Sequence, residues 1–460
     1  MKNKISLETF NEMTVSQAVI KNTVPAMIAM LMFLIYNLAD TFFIGLTHNA
    51  YQMAAITLSA PLFLLFTAFA NVFGMGGTSV IARAFGKKNQ DYVKHVSAFC
   101  AWTSIGIGVL LALIFIFAAR PLLLLMGASQ RTLPLAEKYL CIAACAGPFT
   151  MITGTFSKLL MTDGQPKKAM TGSMFGNLIN IVLDALFIIV FRWNITGIAF
   201  ATLIGNVFSA AYFLLYFRNG ESALSIHPKD FTVREKVCRS VLAIGIPAAL
   251  GSLTMGVSSM FLNRLMAGYG DMALAGIGVA GKLTMITGMV CMGIGQGVQP
   301  LLGYCVGAED GRRYQSLLKF SLIFAFLFSG FMTILCYIFM KPIIGLFLSE
   351  PAAFVSALHF GRILLSTSAF FGVFYVLVNT LQAMGAAFPA LIVNISRQGL
   401  IYIPVLFLLH AVSGPDGLAW AQPAADILAL ILVSILSLKC RKSRFSGAQN
   451  SHSAYFFRNI

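Results

Sequence analysis

Apolar residues run in blocks of about twenty along nearly the whole chain, each closed by charged residues, glycine or proline. Examples are "SIGIGVLLALIFIF" and "ADILALILVSIL". A helical block of that length matches the hydrocarbon core of a bilayer. Splitting the runs at their punctuation predicts twelve membrane-spanning helices, starting near residues 22, 52, 96, 139, 170, 195, 240, 273, 320, 354, 388 and 416. One block departs from the pattern. "NLINIVLDALFI", Asn177 to Ile188 in the fifth span, carries Asn177, Asn180 and Asp184 at i, i+3 and i+7, on a single helical stripe.

Composition turns this pattern into a class. Hydrophobic residues make up 58% of the 460 positions and charged residues 10%, against about 25% charged in soluble domains. The fold class is therefore an all-α, polytopic membrane protein. A net charge of +16 could signal nucleic acid in a soluble protein, but here no basic stretch with interleaved aromatics accompanies it. The lysines and arginines instead fall in connecting segments. With both termini inside, cytoplasmic segments hold 22 of the 32 basic residues, and outer loops hold five: Arg120, Arg131, Lys138, Arg192 and Lys341. That asymmetry predicts an N-terminus and a C-terminus on the cytoplasmic side. The first segment, with Glu8 and Glu12, is too long and too mixed in charge for a signal peptide, so the first apolar run is kept as a span. The eight cysteines are scattered; Cys141 and Cys145 share a helix face but lack histidine or carboxylate partners, so they read as small buried residues.

The chain also repeats itself. "GMGGTSVIARAFGKKNQDY" aligns with "GQGVQPLLGYCVGAEDGRR" at an offset of 221, pairing Gly76 with Gly297. "RPLLLLMGAS" aligns with "KPIIGLFLSE" at the same offset, and Pro25 pairs with Pro247 at 222. Six spans per half give both halves the same orientation, as in transporters built on parallel repeats around a central cavity. The predicted organisation is an N-lobe over 1–217, a cytoplasmic linker over 218–239, a C-lobe over 240–438 and a basic tail over 439–460.

Only Asp40, Asp184 and Asp426 among the 16 acidic residues fall well inside predicted spans. A carboxylate at membrane depth costs about 2.5–3.5 kcal/mol on insertion scales and points to function. Asp40 has Asn37 and Tyr36 within a turn, and the sixth span offers Thr202 and Asn206 at i, i+4. Carboxylate, amide and hydroxyl oxygens suit a hard cation, and a dry aspartate can also take a proton. Asn177 and Asn206 serve equally as interhelical hydrogen-bond donors. Asp426 reads either as a functional group or as the partner of a base such as Arg397. Isolated His48 and His410 read as interfacial residues.

The segments "ADTFFIG", "GGTSVIARAFGKKN" and "MTDGQPKKAM", with their counterparts in the second half, resemble the MATE multidrug and toxin extrusion transporters. The resemblance covers the chain from Pro25 to about Leu436. It implies twelve helices in two lobes and export of amphipathic, cationic organic compounds in exchange for H+ or Na+, with no cofactor. It also implies an N-lobe cation site, whose positions fall here on Asp40, Asn180, Asp184 and Thr202, flanked by Asn177 and Asn37. Pro25 is the expected hinge of the first span. Tyr36, Asn206, Gln296, Gln299, Lys282 and Arg264 are expected to line the substrate cavity.

Two departures qualify the resemblance. Where the family often has an asparagine late in span four, this chain has Ser157 with Lys158 beside it, a base that could compete with a cation. Spans seven and ten carry Asn263, Arg264 and Arg362 in place of acidic residues, which favours the DinF-like, N-lobe-coupled pattern over the NorM-like one. The alternative within the superfamily is a flippase for a lipid-linked or anionic substrate; Arg264, Lys282, Arg362 and Arg397 would supply its basic cavity. No acid pair or His/Asp cluster at a membrane face suggests an enzyme. The expected partners are small organic molecules and membrane lipids, and the expected setting is the plasma membrane, as a monomer.

Overall fold

The computed structural model describes residues 12–45, 50–218, 222–233, 235–348 and 350–445; Glu8 and His48 lie outside them. The described residues contain no strand. In chain order the helices are α1 (Val15–Gly45), α2 (Ala50–Gly86), α3 (Gln90–Phe117), the short α4 (Ala119–Leu125), α5 (Leu133–Thr162), and α6 (Pro166–Ala185), which continues into a π turn over Leu186–Val190. After α7 (Asn194–Arg218) and the linker come α8 (Glu235–Ala267), α9 (Asp271–Gly307), α10 (Gly311–Ile338) and the short α11 (Met340–Gly345). The chain closes with α12 (Pro351–Leu365), α13 (Phe371–Met384), α14 (Ala387–Ile395), a second π turn over Ser396–Leu400, and α15 (Tyr402–Phe445).

Ten helical stretches are long and apolar enough to cross a membrane, and α12 with α13 adds an eleventh through a 40° bend. The stretch Ala387–Phe445 counts 59 residues, about 88 Å of helix and far more than one span needs. It breaks at Gly414, whose φ of 59° and ψ of −130° are non-helical, and Pro415 follows. Two spans meet there, which brings the described residues to the twelve crossings predicted.

Helices begin up to nine residues before the apolar runs that announced them, and the polar first turns of α3 and α10 are capped by a side chain. The Asn89 side chain accepts the Tyr92 N–H at 3.1 Å, and the Asp310 side chain accepts the Arg313 N–H at 2.9 Å. Such caps contribute about 1 kcal/mol each. The two caps are 221 residues apart, as are the left-handed residues preceding them, Lys88 (φ 56°) and Glu309 (φ 57°). The bounds of α2 and α3 recur in α9 and α10 at the same offset, and α4 recurs as α11. The duplication read in the sequence thus extends to single turns.

The chain forms two compact units: Ile28–Gly245, and Thr14–Met27 with Ile246 onward. The first turns of α1 therefore pack with the second unit, and the first turns of α8 with the first. The repeat-paired glycines explain how. A Cβ on Gly76 of α2 would lie 2.3 Å from the Val241 carbonyl oxygen of α8; one on Gly297 of α9 would lie 2.6 Å from Thr23 Cα of α1. Only glycine lets these backbones touch. Asn22 seals the second contact by donating to the Gly297 carbonyl. Pro25 and Pro247, both inside helices, sit within three residues of where α1 and α8 change unit.

Within the first unit the linker is strapped down. Ser97 Oγ donates to the Ser225 carbonyl and Trp102 Nε1 to the Ile226 carbonyl, at 2.9 and 3.0 Å. Buried Asp163, in the turn after α5, accepts from Ser222 Oγ at 2.7 Å and from the Ala223 N–H at 3.3 Å.

Candidate functional site

In the first unit, α6 and α7 form an antiparallel hairpin whose close approach again depends on glycine. A Cβ on Gly176 would lie 2.6 Å from the Gly205 carbonyl oxygen, and one on Gly205 2.9 Å from Asn180 Cβ. This contact brings Asn180 and Asp184 of α6 against Thr202 of α7. Asn180 Nδ2 reaches Thr202 Oγ1 at 3.4 Å, and Tyr36 of α1 lies beside the same Thr202. Asp40, one turn along α1 from Tyr36, is within electrostatic reach of Asp184. The four residues expected to form a cation site do converge, from three helices.

Several of their acceptors lack a partner at this one place. Both carboxyl oxygens of Asp184, one of Asp40 and the amide oxygen of Asn180 are buried without a hydrogen-bond partner. An unpartnered buried acceptor costs about 1–3 kcal/mol, and more when ionised. Hard oxygen acceptors drawn together this way fit a small monovalent cation or a proton. Asp184 is fully buried while Asp40 is half-buried. Sequence reading missed one member: Tyr139 of α5 lies within electrostatic reach of Asp40, Asp184 and Tyr36. A lone tyrosine at the start of a span carries no sequence signal; only the packing of α5 on α2 and α7 brings it here.

The flanking amides are turned elsewhere. Asn37 Nδ2 donates to the Phe33 carbonyl at 2.7 Å and Asn206 Nδ2 to the Thr202 carbonyl at 2.9 Å, each within its own helix. Asn177 is half-buried on the same face as Asn180. Lys158, the base that could have competed for the aspartates, donates to Asn71 Oδ1 at 3.0 Å and to the Gly154 carbonyl at 3.1 Å.

The second unit handles its intramembrane charge differently. Arg397 and Asp426 form a buried ion pair, Nε to Oδ1 at 2.8 Å. Asp426 also accepts from Gln422 at 2.9 Å and from Thr367 at 3.4 Å, and Arg397 reaches the Tyr375 hydroxyl at 3.1 Å. The rings of Phe371, Phe374 and Tyr375 enclose the guanidinium at 4.7–5.3 Å. This carboxylate comes with its own cation. Lys282 lies over the Phe347 ring, Arg264 and Arg362 are exposed, and Gln296 and Gln299 are buried in α9. His410 pairs with the Tyr269 hydroxyl at 3.0 Å.

Comparison with known proteins adds to this geometry. The family model described as MatE matches residues 25–186 and again 247–408, two stretches 222 residues apart. The multidrug export protein MepA of Staphylococcus saprophyticus is 28% identical over 431 residues, covering 93% of this chain and 95% of that one. MepA of Staphylococcus haemolyticus is 29% identical over 434 residues, 94% and 95%. Among solved structures, a MATE protein in complex with MaL6 superposes with a TM-score of 0.90 at 21% identity, covering 94% of this chain and 98% of that one. An outward-facing multidrug resistance MATE family transporter of the MOP superfamily gives 0.90 at 21%, covering 95% and 98%.

Proposed function

Because this chain belongs to the MatE family and is a multi-pass membrane transporter, not an enzyme, we propose that it is a secondary antiporter of the plasma membrane. In this reading it exports amphipathic, cationic organic compounds in exchange for H+ or Na+. Relatives named as multidrug export proteins support the substrate class. The coupling ion binds among Asp40, Asn180, Asp184 and Thr202, with Asn37, Asn177, Tyr36 and Tyr139 around them. Pro25 serves as the hinge of α1, near the point where that helix changes unit.

The observation that carries this reading is the contrast between the two buried aspartate sites. The acceptors at Asp184 and Asp40 lack partners, whereas Asp426 is neutralised by Arg397. An ion arriving from solution has something to gain at the first site and nothing at the second, which favours coupling through the first unit, the DinF-like pattern. The flippase alternative needs a shared basic cavity; the paired Arg397 and the ring-stacked Lys282 speak against it.

Ethidium efflux from proteoliposomes tests the coupling, with the H+ gradient and the Na+ gradient imposed separately. The expected result is export driven by one of them. Equal export with neither gradient would refute antiport.

A further inference from the structure

Three isoleucines sit in register with the proposed ion ligands. Ile44 follows Asp40 by four residues on α1, and Ile188 follows Asp184 by four on the π turn. On the antiparallel α7, Ile198 precedes Thr202 by four. Four residues are one helical turn, about 6 Å, and the hairpin reverses direction between α6 and α7. All three isoleucines therefore lie on the same side of the polar layer, toward the turn at residues 191–193. They form one cluster, with exposures of 7%, 8% and 0%, and Phe43, Ile56 and Tyr139 pack against it.

The segment carrying Ile188 is itself unusual. A π turn spans Leu186–Val190, and the Phe191 N–H bonds back to the Leu186 carbonyl at 3.0 Å. Such turns concentrate at functional positions, because the extra residue weakens the helix. Just beyond it, Arg192 and Asn194 adopt positive φ of 56° and 53°. Phe187 and Trp193 stack at 4.9 Å, and a Cβ on Gly197 would lie 2.8 Å from Phe187 Cβ. A ring-clamped turn with two left-handed residues thus directly follows the isoleucine layer.

We propose that Ile44, Ile188 and Ile198 form an apolar gate that closes the carboxylate site toward the 191–193 turn, the side that the distribution of basic residues assigns to the outside. A layer built on branched hydrocarbon side chains excludes a hydrated cation or a proton-carrying water chain without plugging the path. The gate forces the ion to enter along the face of α1, where Asp40 is half-buried, so its passage stays tied to the movement of that helix. This inference rests on the reading of Asp40 and Asp184 as the ion site.

The test uses the full chain in proteoliposomes, first without organic substrate and then with ethidium, with pyranine reporting proton entry and radioactive sodium reporting Na+ entry. Ile198→Ser places a hydroxyl in the layer. Ile188→Thr does so while keeping the branched shape, so that it folds even if the first variant does not. Both are expected to raise substrate-free ion entry at least tenfold and to lower the ethidium exported per ion. Adding Asp184→Asn is expected to abolish the leak. Wild-type leak rates in the folded variants would overturn the gate, and so would a leak that persists with Asp184→Asn, since it would bypass the site. Gradient-driven export by Asp184→Asn alone would instead overturn the ion site itself.

Discussion

Replacing Arg397 by methionine isolates what the second unit's ion pair does. The methionine occupies much of the arginine stem, so the main loss is the countercharge. Asp426 would keep only the neutral donors Gln422 at 2.9 Å and Thr367 at 3.4 Å, deep in a unit where the arginine is 8% exposed. Removing one partner of a buried pair costs about 3–5 kcal/mol. For a unit of this size, at roughly 2–4 °C per kcal/mol, the melting temperature should fall by on the order of 10 °C. Asp426→Asn should cost a similar amount, because it strands the guanidinium among Tyr375 and the rings. The double variant Arg397→Met/Asp426→Leu leaves no buried charge and should recover most of the loss. Differential scanning fluorimetry of the detergent-solubilised protein reads all three. Single variants that melt within about 2 °C of wild type, or a double variant no better than the singles, would refute a structural pair. So would loss of ion-driven efflux in a double variant that melts normally.

Further outcomes follow from other parts of the molecule. Burial pushes the Asp163 carboxyl up to about 7, against the opposing pull of its bonds from Ser222 and the Ala223 N–H. A raised acid favours the folded arrangement at low pH. That contribution, at most about 4 kcal/mol, is lost as pH rises from about 4 through 7. Hydrogen exchange of residues 222–233, corrected for intrinsic rates, should therefore speed up between pH 5 and 7 in wild type and not in Asp163→Asn; the same pH profile in both would exclude Asp163. Gly76→Ala should destabilise by about 1–3 kcal/mol, since its Cβ would meet the Val241 carbonyl. Gly106→Ala, with nothing within 4 Å of the new Cβ, should be neutral or stabilising by up to about 1 kcal/mol. Equal melting of these two variants would undo the packing argument.

Much of this architecture was legible in the sequence because membranes impose simple rules. Apolar length marked the spans, and a near-constant offset of 221 marked the repeat down to Gly76 and Gly297. The i, i+3, i+7 stripe of Asn177, Asn180 and Asp184 was visible as polarity where polarity is costly. Features that depend on three-dimensional register were not legible. Tyr139 and the isoleucine layer look like any other apolar residues until α1, α5, α6 and α7 are packed together. The π turns at 186–190 and 396–400 carry no compositional mark, since they arise from backbone register. In the sequence Lys158 reads as a rival for the aspartates, because a sequence cannot show that Asn71 and the Gly154 carbonyl take its ammonium. The pairing of Asp426 with Arg397 was foreseen as one of two readings, and proximity decided it.

The central claim is that the unpartnered acceptors around Asp184 couple ion entry to export. It is tested most directly by reconstituting Asp184→Asn and measuring ethidium transport twice in the same vesicles, once uphill under an ion gradient and once as downhill exchange. The account predicts that uphill transport is lost while downhill exchange and the melting temperature stay near wild type. Uphill transport retained at a wild-type rate would contradict it.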